Sequence, residues 1–129
     1  MKKFAAHYVF SGPEKLQAKR VVCLDDSGCI HSIQPLEEET AATIFLNGVL
    51  CPAFSLPGSD KILSIEEASN LLKRIWLSNP LLPINELLAF YTSGNELKIG
   101  SRVSLWCIEN IDFKKLLLQE NSTVYSVFP

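Results

Sequence analysis

The stretch Asn47–Asp60, NGVLCPAFSLPGSD, decides how the rest of the chain is read. Gly48-Val49-Leu50-Cys51 is an apolar run of strand type. Pro52 breaks it, and Ser55, Pro57, Gly58 and Ser59 make a loop. Before this stretch the pattern is strand; after it, helix. Asn47-Gly48 is a favoured tight-turn dipeptide, so Ala42–Leu46 and Val49–Cys51 are expected as two strands bent there.

Upstream, Phe4–Phe10 reads as a strand of aromatic and β-branched residues, ended by Gly12-Pro13. Glu14–Lys19 is a polar connection. Arg20–Leu24 and Cys29–Ile33 are strands joined at Asp25-Asp26-Ser27-Gly28, where aspartates bond local amides and glycine accepts positive φ. Pro35–Thr40 is an acidic loop that includes Glu37-Glu38-Glu39.

Downstream, Ser64 and Glu67 form a capping box. Ile65, Ala68, Leu71, Leu72, Ile75 and Trp76 follow at helical spacing, predicting a helix of about three turns. Asn79-Pro80 stops it. Pro83 suits the first position of a second helix and Gly94 its C-terminal cap, with Ile84, Leu87, Leu88 and Tyr91 buried. Arg102–Ile108 and Thr123–Phe128 return to strand. Asp112–Gln119 is compatible with a short helix or a strand.

The order strands, helices, strands predicts an α+β, mainly β fold. The two strand groups should pack as a small β-sandwich or pseudobarrel with the helices alongside. We read one domain over 1–129, made of N-terminal strands (1–54), a joining loop (55–62), a helical segment (63–94) and C-terminal strands (97–129). The 129 residues are 47% hydrophobic and 20% charged, which suits a globular core and argues against disorder. A net charge of -2 with no basic stripe argues against a nucleic-acid partner. No apolar run approaches a membrane span. His7 and Tyr8 interrupt the apolar N-terminus, which reads as a first strand of a cytoplasmic protein rather than a signal peptide.

The inventory for chemistry is thin. Cys23, Cys29, Cys51 and Cys107 form no C-x-x-C pair and read as buried free thiols. His7 and His31 lie in separate strands and read as structural. No G-x-S-x-G elbow surrounds Ser55 or Ser59. Leu56–Asp60 lacks the glycines and lysine of a phosphate loop. A zinc hydrolase needs about three protein ligands and an open position for water, which these residues do not supply. No catalytic, cofactor-binding or metal-ligating residue is nominated. Ser55, Ser59 and Asp60 remain as possible polar contacts for a small ligand, with Phe54 or Trp76 as walls.

The chain nevertheless resembles the amidohydrolases of the metal-dependent hydrolase superfamily, in the cytosine-deaminase-like and chlorohydrolase-like branch. Phe4–Phe10 and Val21–Ile30 look like that family's opening strands and glycine hairpin. Gly48–Phe54 is similar to its strand entering the barrel, with Ala53 where glycine is usual. Leu63–Ala68, Leu82–Leu88 and Thr92-Ser93-Gly94 look like the helices after the last barrel strand. Lys98–Ile108 and Asn121–Val124 look like its return to the sandwich. The resemblance implies a composite sandwich built from both chain ends around a (β/α)8 barrel.

The departures lie at the junction. The family's His-x-His positions fall on Gly58 and Asp60. Asp60 equally matches the aspartate of the last barrel strand. The family's Ala-Asp-Leu-like triplet reads Val103-Ser104-Leu105. A barrel of about 250 residues has no room between Phe54 and Leu63. The resemblance therefore implies a non-catalytic remnant with a structural or protein-interaction role. Trp76, Leu81, Leu82 and Phe90 would meet a second copy or a full-length relative. The alternatives are a small-molecule binding module, or a carbon–nitrogen hydrolase whose site is completed by another chain.

Overall fold

A computed structural model describes residues 1–13, 16–37, 42–93 and 95–128. It is an α+β structure, mainly β. The elements are β1 (Lys2–Phe10), β2 (Leu16–Leu24), β3 (Ile30–Pro35), β4 (Thr43–Pro52), α1 (Ile65–Ser78), α2 (Ile84–Tyr91), β5 (Leu105–Glu109) and β6 (Thr123–Phe128). They build one six-stranded sheet in the order β3-β2-β1-β4-β5-β6. Among the described residues β1 pairs with β4 in parallel, and the other neighbouring strands pair antiparallel. The N-terminal strands thus meet the C-terminal strands through β4.

The sheet is curled and open. Phe128 at the end of one edge strand lies against Gly28 beside the other; a Cβ on Gly28 would sit 2.9 Å from the Phe128 ring. The segment after α2 bridges the gap. Ile30 N donates to Ser101 O (2.9 Å), Gly100 N donates to Ile30 O (2.7 Å), and Cys29 pairs with Arg102. Inside the curl, Phe4, Val9, Leu24, Ile30, Leu50 and Leu105 form one core. The layering is sandwich-like, with no closed barrel.

The opposite face of β4, β5 and β6 carries the helices. Phe54, Leu71, Leu72, Leu87, Leu88 and Trp106 belong to this second core. Each such fully buried side chain contributes about 2 kcal/mol by removal from water. Ser64 Oγ accepts from Glu67 N (3.1 Å) and Glu67 Oε1 accepts from Ser64 N (3.0 Å), so the capping box forms as expected. The two Ser64 hydrogen bonds hold the Glu67 carboxyl below its ordinary range. Asn79 caps the C-terminus of α1. The hairpin at Asp25 also forms as expected: its carboxylate accepts from Ser27 N and Cys29 N, and Gly28 has φ +81°.

Several boundaries differ from the sequence reading. Asn47-Gly48 is not a turn between two strands. β4 runs straight through it, with a bulge against β1 where the register shifts between Ala6 and Tyr8. The glycine is needed for close approach: a Cβ there would lie 2.1 Å from the Ile108 carbonyl oxygen. Strand β2 begins at Leu16 rather than Arg20, because Lys19 at φ +52° kinks it without ending it. Along β1 the side chains pass from one core to the other: Phe4 and Ala6 belong to the core inside the curl, Phe10 to the helical one.

The remaining differences are smaller. Strand β3 covers Ile30–Pro35, and Cys29 makes only a bridge. Strand β5 starts at Leu105, three residues late, since Arg102 turns aside to Cys29. Helix α1 has 14 residues, closer to four turns than three. Pro83 is the N-cap of α2 rather than its first residue. Asp112–Gln119 is neither helix nor strand; the Asp112 carboxylate gathers Lys114 N and Lys115 N into a turn. Gly94, the N-terminal end of the Glu14–Lys19 connection, and Glu38 to Thr40 of the acidic loop lie outside the described residues.

Candidate functional site

The joining loop is a small closed hairpin. Leu63 N donates to Phe54 O (2.8 Å), and Ser55 bridges antiparallel to Ile62. At the tip, Ser59 N donates to Leu56 O (3.0 Å), with Pro57 second and Gly58 third at φ +78°. That is the residue pattern of a type II turn. The ends of the segment are therefore direct neighbours.

The three candidate contacts do different things. Ser55 is buried; its N–H donates to Tyr91 O (2.8 Å), and its hydroxyl accepts from Asn95 Nδ2 (3.3 Å). Asn95 Nδ2 also donates to Ala53 O, so Ser55 helps tie the loop to the chain after α2. Ser59 is exposed and its hydroxyl accepts from Lys61 N (3.2 Å). Asp60 is exposed at the same tip. Of the proposed walls, Phe54 is fully buried against Trp106 and Tyr91, with centroid distances of 5.2 and 6.4 Å, while Trp76 is half-buried against the helical core.

Beside this loop lies a cleft of about 620 Å³. Its walls include Pro52, Ile62, Asn95, Glu96, Lys98 and Arg102. Ser55, Ser59 and Asp60 are not among its lining residues. The sequence signal for it was the run Lys98-Ile99-Gly100-Ser101-Arg102, two cations flanking a glycine. That run reads as a strand approach until Gly100 is seen at φ +86°, bending it across the sheet opening. The N-terminal ammonium pairs with Asp26 across 3.4 Å.

The remaining reactive groups are dispersed. His7 is exposed and stacks on Phe113 at 4.4 Å; His31 is exposed and lines a separate hollow. Cys23, Cys51 and Cys107 are buried free thiols, and Cys29 is half-buried. Burial holds the Cys51 thiol well above its ordinary value. Burial likewise pushes Cys107 up to about 11, partly offset by the Tyr125 hydroxyl. Both thiols are therefore protonated and poor nucleophiles near neutral pH. Tyr125 is raised by desolvation and by the hydrogen bond it donates to Glu109. Among the described residues no group of three or more His, Cys, Asp or Glu side chains is placed to hold a metal ion.

Apolar surface is more evident than chemistry. Leu77, Leu81 and Phe90 stand out from the helical layer at 72%, 75% and 56% exposure. Leu82, like Trp76, is half-buried against the core. Among the described residues no helix is long and apolar enough to cross a membrane. A scan against protein-family models, a search of curated proteins and a search of solved structures found no match for this chain.

Proposed function

We propose that this chain is a non-catalytic interaction protein, the composite sheet of an amidohydrolase-like frame without its barrel, acting in the cytoplasm. The observation that carries this reading is the closed hairpin at the junction. Phe54 and Leu63, where a barrel would enter and leave, are joined by a 2.8 Å hydrogen bond. A sheet whose entry and exit points touch can hold or lose an inserted domain without changing its own pairing. The dispersed histidines and the separate tasks of Ser55, Ser59 and Asp60 support a role without catalysis. The exposed Leu77, Leu81 and Phe90 support a partner, either a second copy or a full-length relative.

Sedimentation velocity over a wide concentration range, with metal analysis of protein purified without chelators, tests this reading. Self-association, or association with a full-length relative, and no stoichiometric metal are expected. A clean monomer that ignores such a relative contradicts the interaction role. Stoichiometric zinc, iron or manganese would return the chain to the hydrolases.

The cleft favours one second reading, a small-molecule binding module. Lys98 and Arg102 would meet an anionic group, with Asn95 and Glu96 supplying polar contacts. Thermal stabilisation by nucleobases, related amines or small carboxylates would select it over the first.

A further inference from the structure

Strand β4 is paired unevenly. Its first half meets β1 through Lys3↔Thr43, Phe4↔Ile44, Ala5↔Phe45 and Ala6↔Leu46. Strand β5 begins pairing only at Gly48. Among the described residues nothing pairs with the other side of Thr43–Asn47, which leaves an open strand edge in the middle of the sheet order. Such an edge presents free N–H and C=O groups to any extended chain, and proteins normally blunt it with charge, proline or cover. Thr43-Ile44-Phe45-Leu46-Asn47 has no charge and no proline. Ile44 is 54% exposed and Phe45 64%.

The two outer edges are treated differently. Strand β3 ends in Pro35 and is engaged at Ile30 by Gly100 and Ser101. Strand β6 turns Tyr125, Val127 and Phe128 into the core and shows Thr123 and Ser126 to solvent. Among the described residues only the β4 edge combines unpaired backbone with outward apolar side chains.

We propose that Thr43–Asn47 pairs antiparallel with the same segment of a second copy of this chain, joining two sheets about a two-fold axis. This rests on the interaction reading above and names its partner and surface. Two features of the segment favour a second copy. A two-fold axis normal to the sheet keeps like faces together, as an isologous contact requires. Centred on Phe45, it sets Phe45 opposite Phe45, Ile44 opposite Leu46, and Thr43 opposite Asn47. Apolar then meets apolar on both faces and polar meets polar at the ends, the cross-strand pairs that stabilise a sheet. The absence of charge means that no like charges oppose one another across the axis.

The test is sedimentation velocity on wild type and Phe45→Lys, with oxidative cross-linking of Phe45→Cys. Phe45 is exposed, so both variants should fold, and circular dichroism checks that. The wild type should be a dimer. Phe45→Lys should weaken the dimer at least about tenfold by opposing two ammonium groups. Phe45→Cys should form a disulfide-linked dimer on mild oxidation, because opposed Cα atoms about 4.5–5.5 Å apart suit a disulfide. Wild type treated alike should not cross-link. A wild-type monomer at every concentration overturns the proposal and leaves the edge to an extended segment of another protein. A dimer that Phe45→Lys leaves intact and Phe45→Cys does not cross-link also overturns it. That second outcome leaves the interaction reading standing, with the Leu77, Leu81 and Phe90 surface as its carrier.

Discussion

Replacing Gly48 with alanine is expected to lower the stability of this protein by about 3 kcal/mol or more. The added Cβ would lie 2.1 Å from the Ile108 carbonyl oxygen and 2.9 Å from Cys107 Sγ. Neither neighbour is free to retreat. Ile108 is central in β5, bonded between β4 and β6, and Cys107 is fully buried. The strands must separate where β4 joins the two halves of the sheet. Gly58→Ala is the matched control. Its φ of +78° carries a handedness cost of about 1 kcal/mol, yet nothing lies within 4 Å of the new methyl. Urea unfolding followed by circular dichroism measures both. A Gly48→Ala protein no less stable than Gly58→Ala would contradict the close β4–β5 approach.

Phe54→Ala is expected to cost about 3–5 kcal/mol. Phe54 has no solvent exposure and sits between Trp106 of the sheet and Tyr91 of α2. Its carbonyl also closes the joining hairpin through Leu63. Truncation leaves a cavity where sheet, helix and loop meet, and three anchored elements cannot all collapse into it. A loss of this size should lower the melting temperature by roughly 10–20 °C for a chain of this length. Phe54→Leu keeps most of the volume and should cost less than about 1.5 kcal/mol. Thermal unfolding of the pair decides it. Equal melting temperatures for Phe54→Ala and wild type would mean that Phe54 does not hold the layers together.

What the sequence revealed follows the range of the forces involved. Local signals were readable. The Ser64–Glu67 capping box, the Asp25–Gly28 hairpin and the apolar stripe from Ala68 to Ile75 depend on neighbours within four residues. Features set by distant partners were not. Asn47-Gly48 reads as a turn because the dipeptide favours turns, but pairing with β1 on one side and β5 on the other carries the strand through it. Arg102 belongs to an apparent strand until the far edge of the sheet takes it at Cys29. Lys19 has no residue-type signal for its positive φ. Of the candidate contacts, Ser55 was visible only as a loop serine, since its burial depends on Tyr91 and Asn95 some 40 residues away. The cleft beside it was missed for the same reason.

That residues 55–62 form a joint in a sheet complete without them is tested most directly by inserting a small folded domain with close termini between Gly58 and Ser59. Loop length adds little to closure entropy when the ends are already fixed neighbours. The sheet should keep a cooperative melting transition within about 5 °C of wild type. Slow hydrogen exchange should persist at Val49–Cys51 and Leu105–Ile108. Loss of that protection, with both strand groups exchanging freely in the insertion protein, would contradict the joint and the frame built on it.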